Sequence, residues 1–281
     1  MIKDSQALST KSIGNARELG GYICRDNKVI KKGLLLRSAS LNNISDDDID
    51  ILLNDYNLSE IVDFRMDFEE KSAPDKEIKG VKNCRFDIIG GILDDYDDST
   101  EFFDGFLDIF NLPMEQRVEI FKRAAQNELI GENMYITFLS SQSAQKGYRA
   151  FFKELLKLPE NKSILFHCSQ GKDRTGLAAM LILATLNVDE EIIINDYMLT
   201  NLYNEELINK EQMFLESKGI KGKELDDIMI AMDRVTPVTV TNAIKWINEN
   251  YGSIAGYIKE FLGISEEEIV ILQKKFTKVM N

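Results

Sequence analysis

Residues 163–186 read SILFHCSQGKDRTGLAAMLILATL and combine an apolar strand, a polar loop and an apolar helix in direct succession. The strand is predicted for residues 163–166, because a short, near-continuous apolar run is typical of a strand covered on both faces. The loop runs from Cys168 to Arg174, and the helix is expected to begin near Thr175. Backbone N–H groups of such a loop can point inward, and the amino end of the helix adds the positive end of its dipole. This stretch therefore predicts a binding site for an anion.

The other predicted strands are apolar, β-branched runs at residues 33–37, 60–65 and 84–89. Helical patterns separate and follow them, at residues 46–57 after the candidate cap Ser45 and at residues 133–158, which form one long helix or two. Strands that alternate with helices predict an α/β fold with a central, mostly parallel sheet flanked by helices.

The C-terminal half of the chain is predicted to be helical. From Thr175 onward the pattern indicates helices only, the last of them opened by the capping box of Ser265 and Glu268. Near the start, residues 22–30 are typical of a small hairpin that turns at Asp26 and Asn27. No internal repeat or Gly/Ser-rich linker interrupts the chain, so we expect a single domain over residues 1–281.

Composition narrows the classes of partner and compartment. The formal net charge of −13 disfavours nucleic acid and anionic membranes as bulk electrostatic partners. The first residues lack the pattern of a secretory signal, and the longest apolar run, at 177–186, is too short to span a bilayer. Three cysteines cannot all pair, which favours a reducing compartment. We therefore expect a cytoplasmic protein without a transmembrane segment, with leaderless export left open.

The single histidine, His167, precedes Cys168 directly. Adjacent residues of an extended strand point to opposite sides, so the imidazole cannot serve a serine or papain-like cysteine nucleophile at this position. Zinc sites built on two or three histidines are excluded. The sequence therefore predicts no metal and no organic cofactor.

Cys168 is the predicted nucleophile. A thiolate at the mouth of the loop would be stabilised by its N–H groups, by the helix dipole and by Arg174. Arg174 can also grip two phosphate oxygens with its guanidinium fork. Thr175 can donate its hydroxyl to the sulfur, and Gly171 permits the backbone angles of a closed ring. Cys24 and Cys84 are interpreted as structural.

The loop residues 167–176, HCSQGKDRTG, resemble the H-C-x-x-G-x-x-R-[ST]-G signature of the cysteine-based protein tyrosine phosphatase superfamily. They match closely the H-C-x-x-G-K-D-R-T-G form of a bacterial family of atypical tyrosine and dual-specificity phosphatases, some of which act on phosphoinositides. Residues 15–21, NARELGG, resemble the N-x-R-[DE]-L-G-G motif of that family, and residues 63–75 resemble its D-L-R…E…P-D segment, which includes Glu69. The resemblance spans nearly the whole chain and implies a protein tyrosine phosphatase-like fold.

The resemblance also implies roles for the individual loop residues. His167 and Thr175 would support the loop. The substrate phosphate would be bound by six loop residues: Ser169, Gln170, Gly171, Lys172, Asp173 and Arg174. Asp173 would be the general acid that protonates the leaving oxygen. Asp87 and the acidic residues at 94–98 are rival acids, and Asp173 could instead only brace Arg174 or the loop.

Several further residues keep two interpretations each. Lys172 either adds a positive charge at the rim, which would suit inositol phosphates, or faces solvent. Residues 36–41 also resemble the family's R-S-x-x-L element. Three arginines of the matched motifs either line the pocket or form structural ion pairs: Arg17, Arg37 and Arg65. Residues 90–130 carry acidic side chains and a stripe of phenylalanines, which either pack as core or form a lid insertion over the site.

The sequence thus predicts a cysteine-dependent phosphatase that works through a phosphocysteine intermediate. Phosphotyrosine protein is the first expected substrate, followed by dual specificity and then phosphoinositides. A catalytically silent phosphate-binding module is the alternative from another class, and a sulfurtransferase is disfavoured because the C-x5-R loop is longer than that class uses.

Overall fold

The computed structural model describes residues 6–90, 109, 112–126 and 130–280 of the chain. Eight strands lie within this part: β1 (Arg17–Glu18), β2 (Ile23–Cys24), β3 (Lys28–Ile30), β4 (Leu35–Ser38), β5 (Leu58–Asp63), β6 (Lys82–Arg85), β7 (Ser163–His167) and β8 (Thr277–Val279). Five of them form one sheet in the order β1-β4-β7-β5-β6. All neighbours in this sheet are parallel except β1, which runs antiparallel to β4 at one edge.

Twelve helices accompany these strands in the described ranges: α1 (Asp46–Asn54), α2 (Asp67–Ser72), α3 (Met114–Gln126), α4 (Met134–Ser140), α5 (Gln142–Lys157), α6 (Asp173–Thr185), α7 (Glu190–Tyr203), α8 (Glu205–Ser217), α9 (Lys223–Met232), α10 (Pro237–Tyr251), α11 (Ile254–Glu260) and α12 (Glu266–Phe276). The predicted α/β fold with a central, mostly parallel sheet is confirmed. No helix of the described residues is both long enough and apolar enough to cross a bilayer.

Local signals placed most of the elements correctly. Ser45 accepts a hydrogen bond from the Asp48 backbone and caps α1, and Ser265 caps α12 within the predicted capping box. The predicted helical region at 133–158 is two helices, since Ser141 ends α4 and caps α5. The helix that follows the loop begins at Asp173, two residues before the predicted start.

The prediction that only helices follow Thr175 is wrong at the end of the chain. Residues Thr277–Val279 form β8, which pairs antiparallel with β3 of the predicted hairpin, so that β2, β3 and β8 make a second small sheet. The hairpin itself is confirmed, and Asn27 adopts a positive φ of 57° at its turn. Two β-branched residues, Thr277 and Val279, alternate in β8, and this short pattern is the signal that favoured a strand.

Alternating side chains of the central strands build a core on each face of the sheet. Ile164 and Phe166 of β7 pack with α5 and α6 on one face, whereas Leu165 packs with α1 on the other. All five residues of β7 are buried. The carboxyl ends of β4, β5 and β7 meet at one edge, where His167 lies opposite both Ser38 and Asp63. The loop that starts at Cys168 therefore leaves the sheet from its centre.

The region predicted as a lid falls mainly outside the described residues. This holds for the acidic residues 94–98 and for Phe102, Phe103, Phe106 and Phe110. Its described part includes α3, whose Val118 and Phe121 pack with Met229 and Met232 of α9 in a third apolar cluster. The lid role and the single domain over residues 1–281 stay predictions.

Candidate active site

The carbonyl groups of Ser169, Gln170 and Gly171 accept hydrogen bonds from residues outside the loop. The Asn15 side chain donates to Gln170 O at 3.1 Å and to Gly171 O at 2.9 Å. Arg37 donates a further hydrogen bond to Gly171 O at 2.9 Å. The Ser40 N–H bonds the carbonyl of Ser169 at 3.1 Å. A peptide whose carbonyl is held on the outside presents its N–H to the other side, which is the interior of the loop.

The N–H groups of the loop are correspondingly available for an anion. Within the described ranges, the backbone N–H groups of residues 169–175 donate to no acceptor. Gly171 makes the tight curve possible, since it has a φ of +65° and a Cβ built there would lie 2.3 Å from Ser38 O. The first turn of α6 contributes its dipole at the same place. This geometry fits the anion cradle that the sequence predicts, and the binding of an anion there stays a prediction.

Cys168 opens this cradle and is 2% exposed. Burial alone would lower the pKa of Arg174, but Glu69 and then the charges of Cys168 and Asp173 raise it above its ordinary value. The Arg174 guanidinium therefore interacts electrostatically with Cys168 and with Asp173. The Thr175 hydroxyl oxygen is buried and has no partner within the part of the chain that the structure describes, and its predicted hydrogen bond to the sulfur stays a prediction.

Glu69, in α2, holds the guanidinium of Arg174 in a two-pronged ion pair. Arg174 Nη1 lies 2.5 Å from Glu69 Oε2, and Nη2 lies 2.8 Å from Oε1. The Ser169 hydroxyl donates to the same carboxylate at 2.5 Å. Burial raises the pKa of Glu69, but Arg174 outweighs it and holds that pKa at about 2. Glu69 therefore stays charged and fixes the plane of the guanidinium, a role that the sequence interpretation did not assign to it.

His167 lies beneath the loop and is fully buried. Its Nδ1 lies 3.1 Å from Cys168 O, and its Nε2 lies 3.0 Å from Asp75 Oδ2. Burial lowers the pKa of His167, but Asp63 and Asp75 raise it to about 9. The imidazole is thus an imidazolium at neutral pH and places a positive charge next to the nucleophile.

The three arginines with two interpretations form buried ion pairs. Arg17 and Arg37 both bind the carboxylate of Asp196, at 3.3 and 2.6 Å. Arg65 binds Asp63 at 2.9 Å. These contacts match the structural interpretation, and Arg37 also donates a hydrogen bond to the loop at Gly171 O.

Lys172 is buried rather than solvent-facing. Its Nζ donates to the carbonyls of Ile230, at 3.1 Å, and of Met232, at 2.9 Å, at the carboxyl end of α9. Two buried acids, Glu211 and Asp233, lie beyond it, and burial together with Asp233 raises the pKa of Glu211 to about 9. The ammonium group therefore docks the loop onto α9, and its contact with substrate phosphate stays a prediction.

The candidate general acids, Asp173 and Asp87, differ in the hydrogen bonds that their carboxylates accept. Asp173 is the first residue of α6, its side chain is 25% exposed, and its Oδ1 accepts a hydrogen bond from the Tyr135 hydroxyl at 2.6 Å. The carboxylate of Asp87 accepts the backbone N–H groups of Ile89 and Gly90, at 2.9 and 2.8 Å, and so shapes the turn after β6. Among the described candidates, Asp173 is the one tied covalently to the cradle.

Among the residues that the structure describes, two clusters bring potential metal ligands together, and each has a cationic side chain bound to its carboxylates. Asp63, Asp75 and His167 form one cluster, in which Arg65 pairs with both carboxylates at 2.9 Å. Lys82 binds the carboxylates of the other cluster, which consists of Glu60, Cys84 and Glu154. Charge neutralisation by the chain itself accounts for both.

Comparison with known proteins identifies a matching family and two similar proteins. A family model described as the tyrosine phosphatase family matches residues 8–278. A candidate tyrosine-protein phosphatase of Cupriavidus necator is 25% identical over 269 residues, which cover 95% of this chain and 88% of the relative. The triple specificity protein phosphatase PtpB of Mycobacterium tuberculosis is 23% identical over 253 residues, which cover 85% of this chain and 89% of the relative. The matched range includes the cradle and the elements that hold it.

Proposed function

Because the chain belongs to the tyrosine phosphatase family, and so to the phosphoric monoester hydrolases, we propose that it works through a phosphocysteine intermediate formed on Cys168. The observation that carries this proposal is the cradle, whose outward-bonded carbonyls leave the N–H groups of residues 169–175 available around the sulfur. The Arg174 fork, oriented by Glu69, completes the ring of donors.

The reaction proceeds in two displacements at phosphorus. The Cys168 thiolate attacks phosphorus as the bond to the leaving oxygen breaks, and Asp173 transfers its proton to that oxygen. The loop N–H groups and Arg174 hold the three equatorial oxygens, whose charge grows in the transition state. Water, deprotonated by Asp173, then attacks phosphorus and the P–S bond breaks. The Thr175 hydroxyl donates a hydrogen bond to the departing sulfur. Cleavage of the P–S bond restores the thiolate and releases phosphate.

We place phosphotyrosine protein first among the substrates. The net charge of −13 disfavours adsorption to anionic lipid surfaces, and so places phosphoinositide lipids third, behind dual specificity. The nucleophilic thiol suits a reducing compartment such as the cytoplasm. The catalytically silent binding module has little support, because Cys168, Arg174 and Thr175 are all positioned at the loop.

A comparison of substrates tests the proposal. We expect kcat/KM on a phosphotyrosine peptide to exceed that on the matching phosphoserine peptide and on soluble inositol phosphates by at least about tenfold. Released phosphate is measured, with the Cys168→Ser protein as the blank. Equal or faster turnover of inositol phosphates would assign the site to phosphoinositides instead, and thiosulfate turnover without phosphatase activity would reveal a sulfurtransferase.

Asp173→Asn tests the general acid. We expect kcat to fall by about 100-fold on phenyl phosphate, whose leaving group needs a proton, and by less than about threefold on an activated aryl phosphate. The matched control is Asp87→Asn, which removes a rival carboxyl and should leave the ratio of the two rates unchanged. Equal slowing of both substrates by Asp173→Asn would reject its role as the acid, and a selective loss in Asp87→Asn would transfer that role to Asp87.

A further inference from the structure

Two buried tyrosine hydroxyls connect Asp173 to helices outside the cradle. Tyr135, in α4, donates to Asp173 Oδ1 at 2.6 Å, and its oxygen lies 2.8 Å from the hydroxyl of Tyr197, in α7. Asp173 begins α6, so three helices meet at this chain of hydroxyls. None of the steps derived above uses either tyrosine.

The direction of the chain follows from the single proton of each hydroxyl. The Tyr135 hydroxyl donates its hydrogen bond to Asp173. In the hydrogen bond between the two tyrosines, Tyr197 is therefore the donor and Tyr135 the acceptor. Burial and then the charge of Asp173 raise the pKa of Tyr135 well above its ordinary value, and burial does the same for Tyr197. Both phenols therefore stay neutral, and Tyr135 remains a donor to Asp173 over the working pH range.

Packing holds the Tyr135 hydroxyl in place. The Tyr135 side chain is 1% exposed, and its ring meets that of Tyr197 edge-on at a centroid distance of 5.9 Å. Tyr197 approaches α6 closely at Gly176, where an added Cβ would lie 3.2 Å from its ring. A rigid donor at a fixed position orients its acceptor, because a hydrogen bond weakens steeply when its distance or angle departs from the preferred geometry.

We propose that Tyr135 is a positioning residue that sets the orientation of the Asp173 carboxyl for proton transfer. With Oδ1 occupied by the Tyr135 proton, and with Lys172 Nζ 3.9 Å from that same oxygen, the transferable proton belongs on Oδ2. Tyr135 meets the cradle at the Asp173 carboxylate and acts through that residue. The inference rests on the proposed function, in which Asp173 is the general acid.

Tyr135→Phe removes only the hydroxyl that contacts Asp173. We expect kcat on phenyl phosphate to fall by about tenfold, with the rate on an activated aryl phosphate within about twofold and KM unchanged for both. The matched control is Tyr257→Phe, which deletes another buried hydroxyl, bonded to Leu139 O at 2.7 Å, with no contact to Asp173. That variant should keep the ratio of the two rates.

The double variant separates this inference from the proposed function. In the Asp173→Asn background, Tyr135→Phe should cause no further selective loss, because its effect passes through the carboxyl. If Asp173→Asn slows phenyl phosphate selectively and Tyr135→Phe slows both substrates equally or neither, the positioning role is overturned while the acid stands. If Asp173→Asn itself shows no selectivity, the acid assignment fails and the positioning role fails with it.

Discussion

Cys168→Ser is expected to lower kcat on every phosphate monoester by about 10⁴-fold or more. A serine hydroxyl is a much weaker nucleophile than a thiolate, and Asp173, the carboxyl group of the cradle, enters the first displacement carrying the proton for the leaving oxygen. Substrate affinity should persist, because the N–H groups of residues 169–175 and the Arg174 fork are untouched. Steady-state rates and equilibrium binding of a phosphotyrosine peptide measure the two effects.

Acid-quenched reactions with a phosphate-labelled substrate test the intermediate directly. Labelled protein should form with the wild type and be absent from Cys168→Ser. The matched control is Cys84→Ser, the same substitution at a half-buried cysteine beside Glu60 and away from the loop, and its kcat should lie within about twofold of the wild type. Retention of more than about one per cent of activity in Cys168→Ser would contradict a cysteine nucleophile.

The parts of the site that are contiguous in the chain could be predicted from sequence. Strand β7, the loop and helix α6 follow one another within residues 163–185, and each has a local signal: the apolar run, Gly171, and the polar residues before an apolar helix. Parallel pairing followed from the alternation of strands and helices. The position of β7 at the centre of the sheet was not predicted, because the alternation of strands and helices does not fix the strand order.

The parts that the sequence left unassigned depend on residues far apart in the chain. Glu69 precedes Arg174 by 105 positions, and only the placement of α2 under the loop makes it the partner of that guanidinium. Lys172 reads as an exposed rim residue because it is charged and adjacent to a glycine. It is buried because α9, some 60 positions later, offers two carbonyls at its carboxyl end. Local sequence patterns do not predict contacts between residues so far apart in the chain.

The last strand shows the same limit. β8 contains three residues and pairs with β3 across almost the entire chain, as Ile30 lies opposite Thr277. A three-residue strand has too little periodicity to compete with the strong helical pattern of α12 just before it. The candidate acid and the candidate nucleophile, by contrast, lie within six residues of each other in one loop, and the sequence motif contains both.

Arg174→Lys is expected to lower kcat/KM by about 10²–10³-fold while the protein stays folded. Lysine keeps one positive charge but loses the planar fork, so it cannot hold Glu69 and two phosphate oxygens at the same time. In the wild type, Nη1 and Nη2 both donate to the Glu69 carboxylate, and they also contact Phe64 O at 3.4 Å and Ser169 Oγ at 3.5 Å, respectively. These contacts fix the plane of the guanidinium. The loss should therefore fall on the transition state, where the charge on the phosphate oxygens is largest, and should lower kcat more than it raises KM.

The matched control for this substitution is Arg25→Lys, at an exposed arginine that pairs with Asp189 on the surface. Its kcat/KM should lie within about twofold of the wild type, because an exposed ion pair contributes little and tolerates the change of head group. Thermal unfolding of both variants separates loss of chemistry from loss of fold. A rise in KM with kcat unchanged in Arg174→Lys would show that the fork only binds substrate, and would leave the loop N–H groups as the main source of transition-state stabilisation.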